Sequence, residues 1–140
     1  MDADAVARLL GLSPHPEGGA YVETWRAPSG PGERPAGTAI YFLLRDGEVS
    51  RWHRVDAAET WHFYAGAPLE LRVAGEDGQA VHHRLGIDLA AGERPQAVVP
   101  AGAWQAARSL GTWTLVGCTV APGFEFGGFE MAPEGWEPAG

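Results

Sequence analysis

The chain has 140 residues, of which 45% are hydrophobic and 20% are charged, and its formal net charge is −8. This length and composition are typical of one globular domain, so we predict a single domain over residues 1–140. The acidic balance argues against nucleic acid and anionic membrane surfaces, because both bind basic patches. We therefore predict neither of them as a partner.

The sequence also lacks the usual signals for export. No apolar run approaches the roughly 20 residues that a membrane helix needs. The first five residues, Met-Asp-Ala-Asp-Ala, lack the basic and apolar regions of a signal peptide. Cys118 is the one cysteine, which excludes an internal disulfide, and its apolar neighbours indicate a buried, inert thiol. These features predict a cytoplasmic protein.

One helix is expected near the start of the chain, over about residues 4–10. Asp4 is the predicted cap, an apolar stripe begins at Val6, and Gly11 ends the helix. Pro14 then prevents its continuation, because proline has no amide hydrogen to donate.

The chain from about residue 20 to 131 has the pattern of a β-barrel. Short runs rich in β-branched and aromatic residues alternate with turn residues, of which Asp46-Gly47 is the strongest hairpin signal. About ten strands at short spacing are typical of an all-β sandwich or barrel. The predicted strands are Tyr21–Arg26, Thr38–Leu44, Glu48–Val55, Thr60–Tyr64, Leu69–Val73, Gln79–Leu85, Gln96–Val99, Ala103–Ser109, Thr112–Val120 and Phe124–Met131.

The segment 47–66 places a histidine and a glutamate on consecutive strands. Because side chains alternate along a strand, Glu59 shares a face with Trp61 and Phe63, whose size and hydrophobicity favour the interior. A carboxylate in an apolar interior needs a partner, a metal or a raised pKa. His53 on the preceding strand is the expected partner, although such a pair also serves as an ordinary structural hydrogen bond.

Two further side chains are candidates for binding a ligand from the strands. Arg51 shares the predicted face of His53 and is the arginine best placed to hold an acidic ligand. Gln105 shares a face with the small residues Ala103 and Ala107, which leave room inside the barrel. Its amide oxygen is a weak ligand for zinc or iron compared with imidazole.

Other candidates lie in the first loop and among the tyrosines. Glu17, together with His15, is placed to line the mouth of the barrel, or else the surrounding prolines and glycines only set the chain path. Tyr21, Tyr41 and Tyr64 each offer a phenol as an acid, a base or a hydrogen-bond donor to substrate. The alternative for each tyrosine is packing with a satisfied hydroxyl.

The segment 47–66 resembles the first motif of the cupin superfamily. That motif is a glycine, five residues, a His-any-His pair, three or four residues, a glutamate, six residues and a glycine. This chain matches at Gly47, His53, Glu59 and Gly66, and it departs at Val55, where the second histidine would stand.

A second segment resembles the other cupin motif, a Pro-any-Gly turn followed by two residues and a histidine. Pro100 and Gly102 match, and Gln105 stands at the histidine position. The resemblance implies a metal site of three histidines and one glutamate. Here that site is reduced to His53 and Glu59, with Gln105 as a weak third ligand.

Longer strings resemble a small cupin family that is known only as a domain of unknown function, over the chain from about residue 9 to 136. The resemblance implies a double-stranded β-helix, the cupin jelly-roll barrel, that is often a homodimer and is similar in outline to deoxysugar-nucleotide epimerases. It implies no known reaction. The strings that carry it are Pro14–Gly19, Glu23–Arg26, Trp52–Val55, Trp61–Tyr64, Val99–Gln105 and Val120–Phe126.

The preferred function is a small-molecule enzyme that works without a metal or another cofactor. In this hypothesis His53 is the general base or acid and Glu59 orients it, since a histidine beside a buried carboxylate titrates near neutral pH. Tyr64 or Tyr21 completes the pair, as in isomerases of similar fold. The reaction would be of isomerase, epimerase or lyase type.

Two alternatives remain open from the residues alone. The first is a weak divalent-metal site made of His53, Glu59 and Gln105. The second is a non-catalytic module that binds an apolar or aromatic small molecule, and the expected lining of Trp61 and Phe63 supports it.

Overall fold

The helix at the start of the chain is one residue longer than predicted and has a different cap. In the computed structural model, which describes residues 1–138, α1 spans Ala3–Leu10. The Asp2 carboxylate accepts a hydrogen bond from the amide of Ala5 at 2.8 Å, so Asp2 is the cap and Asp4 lies in the first turn. Gly11 ends the helix in the left-handed conformation, as predicted.

Eleven strands follow within residues 1–138, and they form two antiparallel sheets. The strands are β1 Ser13–Pro14, β2 Ala20–Arg26, β3 Thr38–Arg45, β4 Val49–Val55, β5 Ala58–Gly66, β6 Leu69–Ala74, β7 Ala80–Leu85, β8 Gln96–Val99, β9 Trp104–Ser109, β10 Trp113–Ala121 and β11 Phe129–Met131. The first sheet has the order β1-β2-β3-β10-β5-β8 and the second has the order β11-β4-β9-β6-β7. The prediction of an all-β jelly roll with a short N-terminal helix is confirmed.

Most predicted strand boundaries agree with the structure to within two residues, and the last one does not. The predicted strand Phe124–Met131 contains a short 3-10 helix at Phe126–Gly128, and only β11 at its end pairs with β4. Gly127 and Gly128 explain the error, because glycine has little strand propensity and the sequence alternation around it is misleading.

The apolar core lies between the two sheets. Its largest cluster includes Phe42, Trp61, Leu69, Leu71 and Leu85, each at most 1% exposed. Each such side chain stabilises the fold by about 1.5–3 kcal/mol through removal from water. The remaining space between the sheets is a cavity whose walls carry both apolar and polar side chains.

The outer face of the second sheet is covered by the end of the described chain. Trp136 packs against Trp52 with ring centroids 5.6 Å apart and against Trp104 at 4.9 Å. Strand alternation predicts that Trp52 and Trp104 face away from the barrel interior, and the structure agrees. Among residues 1–138, no helix is long and apolar enough to cross a membrane.

Candidate active site in the barrel cavity

Strand β4 turns two polar side chains, Ser50 and His53, into the barrel. They are three positions apart, so regular alternation would put them on opposite faces. The pairing register of β4 with β9 shifts between these two residues, which marks a β-bulge, and both side chains are fully buried. Arg51 is exposed and lines a separate groove. The prediction that Arg51 shares the face of His53 is therefore wrong, because the bulge changes the alternation.

The loop between β1 and β2 brings Glu17 into the same interior. Gly18 has φ +110°, and a Cβ at this position would overlap the backbone oxygen of Val49. The close approach lets the amide of Arg51 donate to the carbonyl of Glu17 at 2.8 Å. Glu17 is thereby 7% exposed, with its carboxyl among the residues of β4.

Replacing Gly18 by alanine should destabilise the fold by more than the strain of a positive φ costs, because the added methyl group would also overlap the backbone of Val49. Gly32 is the matched control, since it has φ +76° in an exposed loop, and a methyl group added there would meet no atom within 4 Å. We expect about 1 kcal/mol for Gly32→Ala and about 2–4 kcal/mol for Gly18→Ala in urea unfolding. Equal losses would show that the contact with β4 does not hold the loop.

Glu17 lies at the centre of a buried polar cluster. Its Oε2 accepts a hydrogen bond from the Ser50 hydroxyl and lies 3.5 Å from Nε2 of His53. Its Oε1 lies 3.3 Å from Nδ1 of His15. Burial raises the pKa of Glu17 from 4.5 to about 8, against the smaller opposing effect of the Ser50 hydrogen bond. At neutral pH this carboxyl is therefore mostly a protonated acid.

His53 is held as a neutral imidazole with one nitrogen free. Its Nδ1 lies 2.7 Å from the carbonyl oxygen of Arg51, which can only accept, so Nδ1 carries the proton. Burial lowers the pKa of His53, while the charge of Glu59 and the hydrogen bond to Arg51 act in the opposite direction. Its Nε2 therefore has a lone pair directed toward Glu17. The ring of Phe129 stacks on the imidazole at 5.2 Å between centroids.

His15 has the opposite tautomer. Its Nδ1 accepts a hydrogen bond from the backbone amide of Glu17 at 3.1 Å, so its proton is on Nε2. Burial, together with the neighbouring His53, lowers the pKa of His15 to about 4. Both imidazoles around Glu17 are therefore neutral at pH 7, and neither supplies a positive charge to the carboxyl.

Glu59 is bound to Gln105 rather than to His53. Gln105 donates from Nε2 to Oε1 of Glu59 at 2.9 Å and accepts at Oε1 from the indole of Trp61 at 2.8 Å. Burial raises the pKa of Glu59 to about 7, and the nearby imidazole of His53 opposes part of the rise. The expected direct His53–Glu59 pair is replaced by a His53–Glu17 pair, because Gln105 holds Oε1 of Glu59 and the β1–β2 loop brings Glu17 to Nε2 of His53.

A cavity of about 310 Å³ between the sheets is lined by four of these groups, His15, Glu17, His53 and Glu59. Its walls combine the buried acids and imidazoles with a mostly apolar surface, and Glu23 and Arg26 lie at its exposed rim. Such a mixture of apolar walls and a few convergent polar groups is typical of small-molecule sites. The apolar and aromatic lining residues are Tyr21, Val22, Ile40, Val55, Val120, Phe124, Phe126 and Phe129.

Several predicted site residues lie elsewhere. Trp61 and Phe63 belong to the apolar core and do not line the cavity. Tyr41 and Tyr64 contact each other with ring centroids 6.1 Å apart, and Tyr64 is 52% exposed on the outer face of the first sheet. Of the three tyrosines, Tyr21 alone is in the cavity wall.

The comparison with protein families agrees with the cupin motifs. The model of the family described as "Cupin superfamily (DUF985)" matches residues 4–132. This chain belongs to that family. The resemblance inferred from the sequence is thus confirmed.

Three similar proteins cover most of this cupin. Protein SO0799 from Shewanella oneidensis has a crystal structure with 42% sequence identity and a TM-score of 0.90, covering 94% of this chain and 85% of that chain. A hypothetical protein from Leishmania major has 33% identity and a TM-score of 0.85, covering 94% and 88%. The uncharacterized protein YML079W of Saccharomyces cerevisiae is 29% identical, covering 82% of this chain and 67% of that protein.

A more distant neighbour shows the fold alone. Oxalate decarboxylase from Bacillus subtilis is 15% identical with a TM-score of 0.67, and the match covers 84% of this cupin and 29% of that enzyme. The likeness supports the jelly-roll architecture and says nothing about the reaction of this chain.

The residues of this cupin do not fit the metal site that its motifs imply. An indole N–H can only donate, so the oxygen of Gln105 must face Trp61 and its NH₂ group must face Glu59. Gln105 thus presents a donor, not a ligand atom, to the interior. Within residues 1–138, no group of three His, Cys, Asp or Glu side chains is arranged to hold a metal ion.

The sequence contained weak signals for the site residues that were missed. Ser50 lies within the first motif, but the bulge that turns it inward is not visible in the alternation pattern. Phe124 and Phe126 lie in the shared Val-any-Pro-Gly-Phe-any-Phe string, and Phe129 follows it. This string was therefore the sequence signal for the aromatic wall of the cavity. Cys118 faces the cavity from β10, where burial raises the pKa of its thiol well above the usual value.

Proposed function

We propose that this cupin is a metal-independent enzyme that moves a proton on a carbon atom of a small organic molecule, in a reaction of isomerase, epimerase or lyase type. The observation that carries the proposal is the contact between Oε2 of Glu17 and Nε2 of His53 at 3.5 Å in the cavity wall. The pair combines a neutral base and a protonated acid at one place. Enzymes that transfer protons at neutral pH need such a combination.

His53 is the proposed general base. Its Nδ1–H is fixed on the Arg51 carbonyl, so the free lone pair on Nε2 is the position that accepts a proton from substrate carbon. Because Nδ1 is held by this hydrogen bond, the neutral imidazole keeps Nε2 in the orientation that proton abstraction requires.

Glu17 is the proposed general acid. Its proton is available at neutral pH because burial raises its pKa to about 8. As the substrate C–H bond breaks and its proton moves to Nε2 of His53, Glu17 gives its own proton to the substrate oxygen on which negative charge develops. The Ser50 hydroxyl then donates to the carboxylate that remains. In an isomerisation the reverse transfers restore both groups.

Glu59 and Tyr21 take supporting roles in this proposal. Glu59 is held by a hydrogen bond from Gln105. When Glu59 is ionised, its negative charge raises the pKa of His53 and so makes His53 a stronger base. Tyr21 contacts His15, with ring centroids 4.4 Å apart, and faces the cavity, where its hydroxyl can bind substrate. Tyr64 is left out, because it lies on the outer face of the barrel.

A binding module without turnover is the second candidate. The cluster of Phe124, Phe126 and Phe129 in the cavity wall favours it, since three aromatic rings make an apolar surface suited to simple binding. The arrangement of Glu17 and His53 favours the enzyme, because a simple binding site has no need for a protonated acid in contact with a neutral base.

Hydrogen–deuterium exchange tests the proposal without knowledge of the full reaction. The protein, treated with EDTA, is incubated in D₂O with mixtures of small metabolites, and loss of C–H signals is followed by proton NMR. We expect exchange with the wild type, and a loss of at least about 100-fold with His53→Gln, because an amide cannot act as a base.

His82→Gln is the matched control, since His82 is exposed on β7. It should exchange at the wild-type rate. Equal exchange by His53→Gln and wild type would refute the role of His53, and exchange that appears only after a divalent metal is added would refute the metal-independent mechanism. A compound that binds in the cavity with no exchange supports the binding module instead.

A further inference from the structure

Two buried carboxyls in the cavity have no positively charged partner among residues 1–138. Glu17 contacts a hydroxyl and two neutral imidazoles, and Glu59 contacts the amide of Gln105. Neither carboxyl is within ion-pairing distance of an arginine in the described part of the chain, and the sequence contains no lysine. A buried carboxyl without a cationic partner in the protein is either protonated or needs a cation from a bound ligand.

The arginine at the rim does not fill this role. Arg26 donates two hydrogen bonds to the carboxylate of Glu23, at 2.9 and 2.8 Å, and a third to the carbonyl of Phe124 at 3.0 Å. Its charge is therefore already neutralised by an adjacent acid. Three carboxyls and a single, already paired guanidinium line the cavity, so it offers an anion no free positive charge.

Aromatic rings stand beside the unpaired acids. Phe124 contacts Phe126 at 4.9 Å and Phe129 at 5.8 Å between centroids, in edge-to-face arrangements. Phe129 in turn stacks on His53 and links the aromatic wall to the acids. Aromatic faces attract organic cations through the quadrupole of the ring and also cover an apolar body.

From this juxtaposition we propose that the ligand of the cavity is a small organic cation, a protonated amine with an apolar body. Its ammonium group lies between Glu17 and Glu59, and its body lies against Phe124, Phe126 and Phe129. The inference rests on the proposed function only in taking the cavity as a small-molecule site. It adds the charge class of the ligand, which the proton-transfer mechanism leaves open.

The protonation of the acids is compatible with this ligand. A neutral amine that enters the cavity takes the proton of one carboxylic acid, so that an ammonium and a carboxylate replace an amine and an acid. One N–H bond forms as one O–H bond breaks, and the net charge of the cavity does not change. A carboxylate ligand would instead bring an uncompensated negative charge beside two acids, which burial in the cavity penalises.

Three probes of nearly equal size separate the charge classes, namely benzylamine, benzyl alcohol and benzoate. Binding to the protein at pH 7 is measured by calorimetry, and the site by NMR shifts of Phe129 and His53. We expect benzylamine to bind at least about ten-fold tighter than the other two. Glu59→Gln should remove most of that preference, whereas Glu76→Gln, in the exposed β6–β7 turn, should keep it.

A second variant tests the inference without touching the buried acids. Arg26→Gln changes an exposed side chain at the rim and should leave benzylamine binding as tight as in wild type, or tighter. Benzoate binding that exceeds benzylamine binding and is lost in Arg26→Gln would overturn the cation proposal while leaving the cavity as a small-molecule site. If benzyl alcohol binds as tightly as benzylamine, the cation proposal is likewise overturned and the cavity remains a small-molecule site. Absence of binding by all three probes up to about 10 mM would overturn the cation proposal, whereas the proposed function is overturned only by the deuterium-exchange experiment.

Discussion

Replacing Glu17 by glutamine should make the protein more stable than wild type at pH 8 and leave its stability nearly unchanged at pH 4.5. Glutamine resembles the protonated carboxyl, which is the form that the buried site favours. The pKa of Glu17 is raised from 4.5 to about 8 by burial, so ionisation at high pH works against folding. We expect a gain on the order of 2–5 kcal/mol at pH 8, measured by urea unfolding.

The direction follows from the protons bound in each state. A raised folded pKa contributes stability that is full below about pH 4.5 and is lost as the pH rises through about 8, because the unfolded chain releases its proton first. Glu59, with a pKa of about 7, adds a loss of the same sign. His15, with a pKa lowered to about 4, contributes stability that is lost as the pH falls from about 6.5 to 4.

His53, whose pKa burial also lowers, adds a slope of the same sign as His15. The wild type should therefore be most stable between about pH 4.5 and 6.5, where the two imidazole slopes oppose the two carboxyl slopes. Above that window its stability should fall by about 1.4 kcal/mol per pH unit for each carboxyl that the fold keeps protonated. Glu76→Gln alters an exposed side chain in a turn and serves as the control that should follow the wild-type profile. A Glu17→Gln profile parallel to that of wild type at every pH would show that Glu17 ionises normally in the fold.

Restoring the two missing histidines should convert this cupin into a metal-binding protein. Val55 lines the cavity two positions after His53, and Gln105 pairs with His53 across β4 and β9. The double variant Val55→His, Gln105→His thus adds two imidazoles to His53 and Glu59. We expect its affinity for zinc or manganese to rise on the order of 1,000-fold over wild type, because imidazole is a far better ligand than an amide.

Metal analysis of protein purified without chelator is the measurement. The single variant Val55→His is the control, and it should bind metal only weakly because Gln105 still presents its NH₂ group to Glu59. Gln105→His also removes the acceptor of the Trp61 indole, so a loss of about 1–3 kcal/mol in stability is expected in the metal-free form. Near-stoichiometric metal in the wild type would contradict the metal-independent site.

The sequence was sufficient for the architecture because the turn residues are local signals. Gly47 and Gly66, which begin and end the first motif, have φ values of 81° and 88°, in the region that glycine readily occupies. Such glycines and the runs between them fix where strands begin and end. The same reasoning placed Glu59, Gln105 and His53 inside the barrel, and all three are at most 8% exposed.

The partners inside the barrel could not be predicted in the same way. The expected pair of His53 and Glu59 assumed that β4 and β5 are neighbours in one sheet, and they belong to opposite sheets. Glu17 comes from a loop whose path depends on the contact of Gly18 with Val49, a residue distant in sequence. Period-two alternation also failed at Arg51, because a bulge has no strong signature in a single sequence.

The protonation states of the buried cluster at neutral pH are the foundation of the proposed chemistry. Carbon NMR of glutamate side-chain carboxyls, combined with nitrogen NMR of the imidazoles, follows them directly as the pH is varied. We predict that Glu17 and Glu59 are still carboxylic acids at pH 6, with midpoints near 8 and 7, and that His53 at pH 7 is a neutral ring protonated on Nδ1. Ionisation of both carboxyls near pH 4.5, with His53 as an imidazolium at pH 7, would contradict the proposed chemistry.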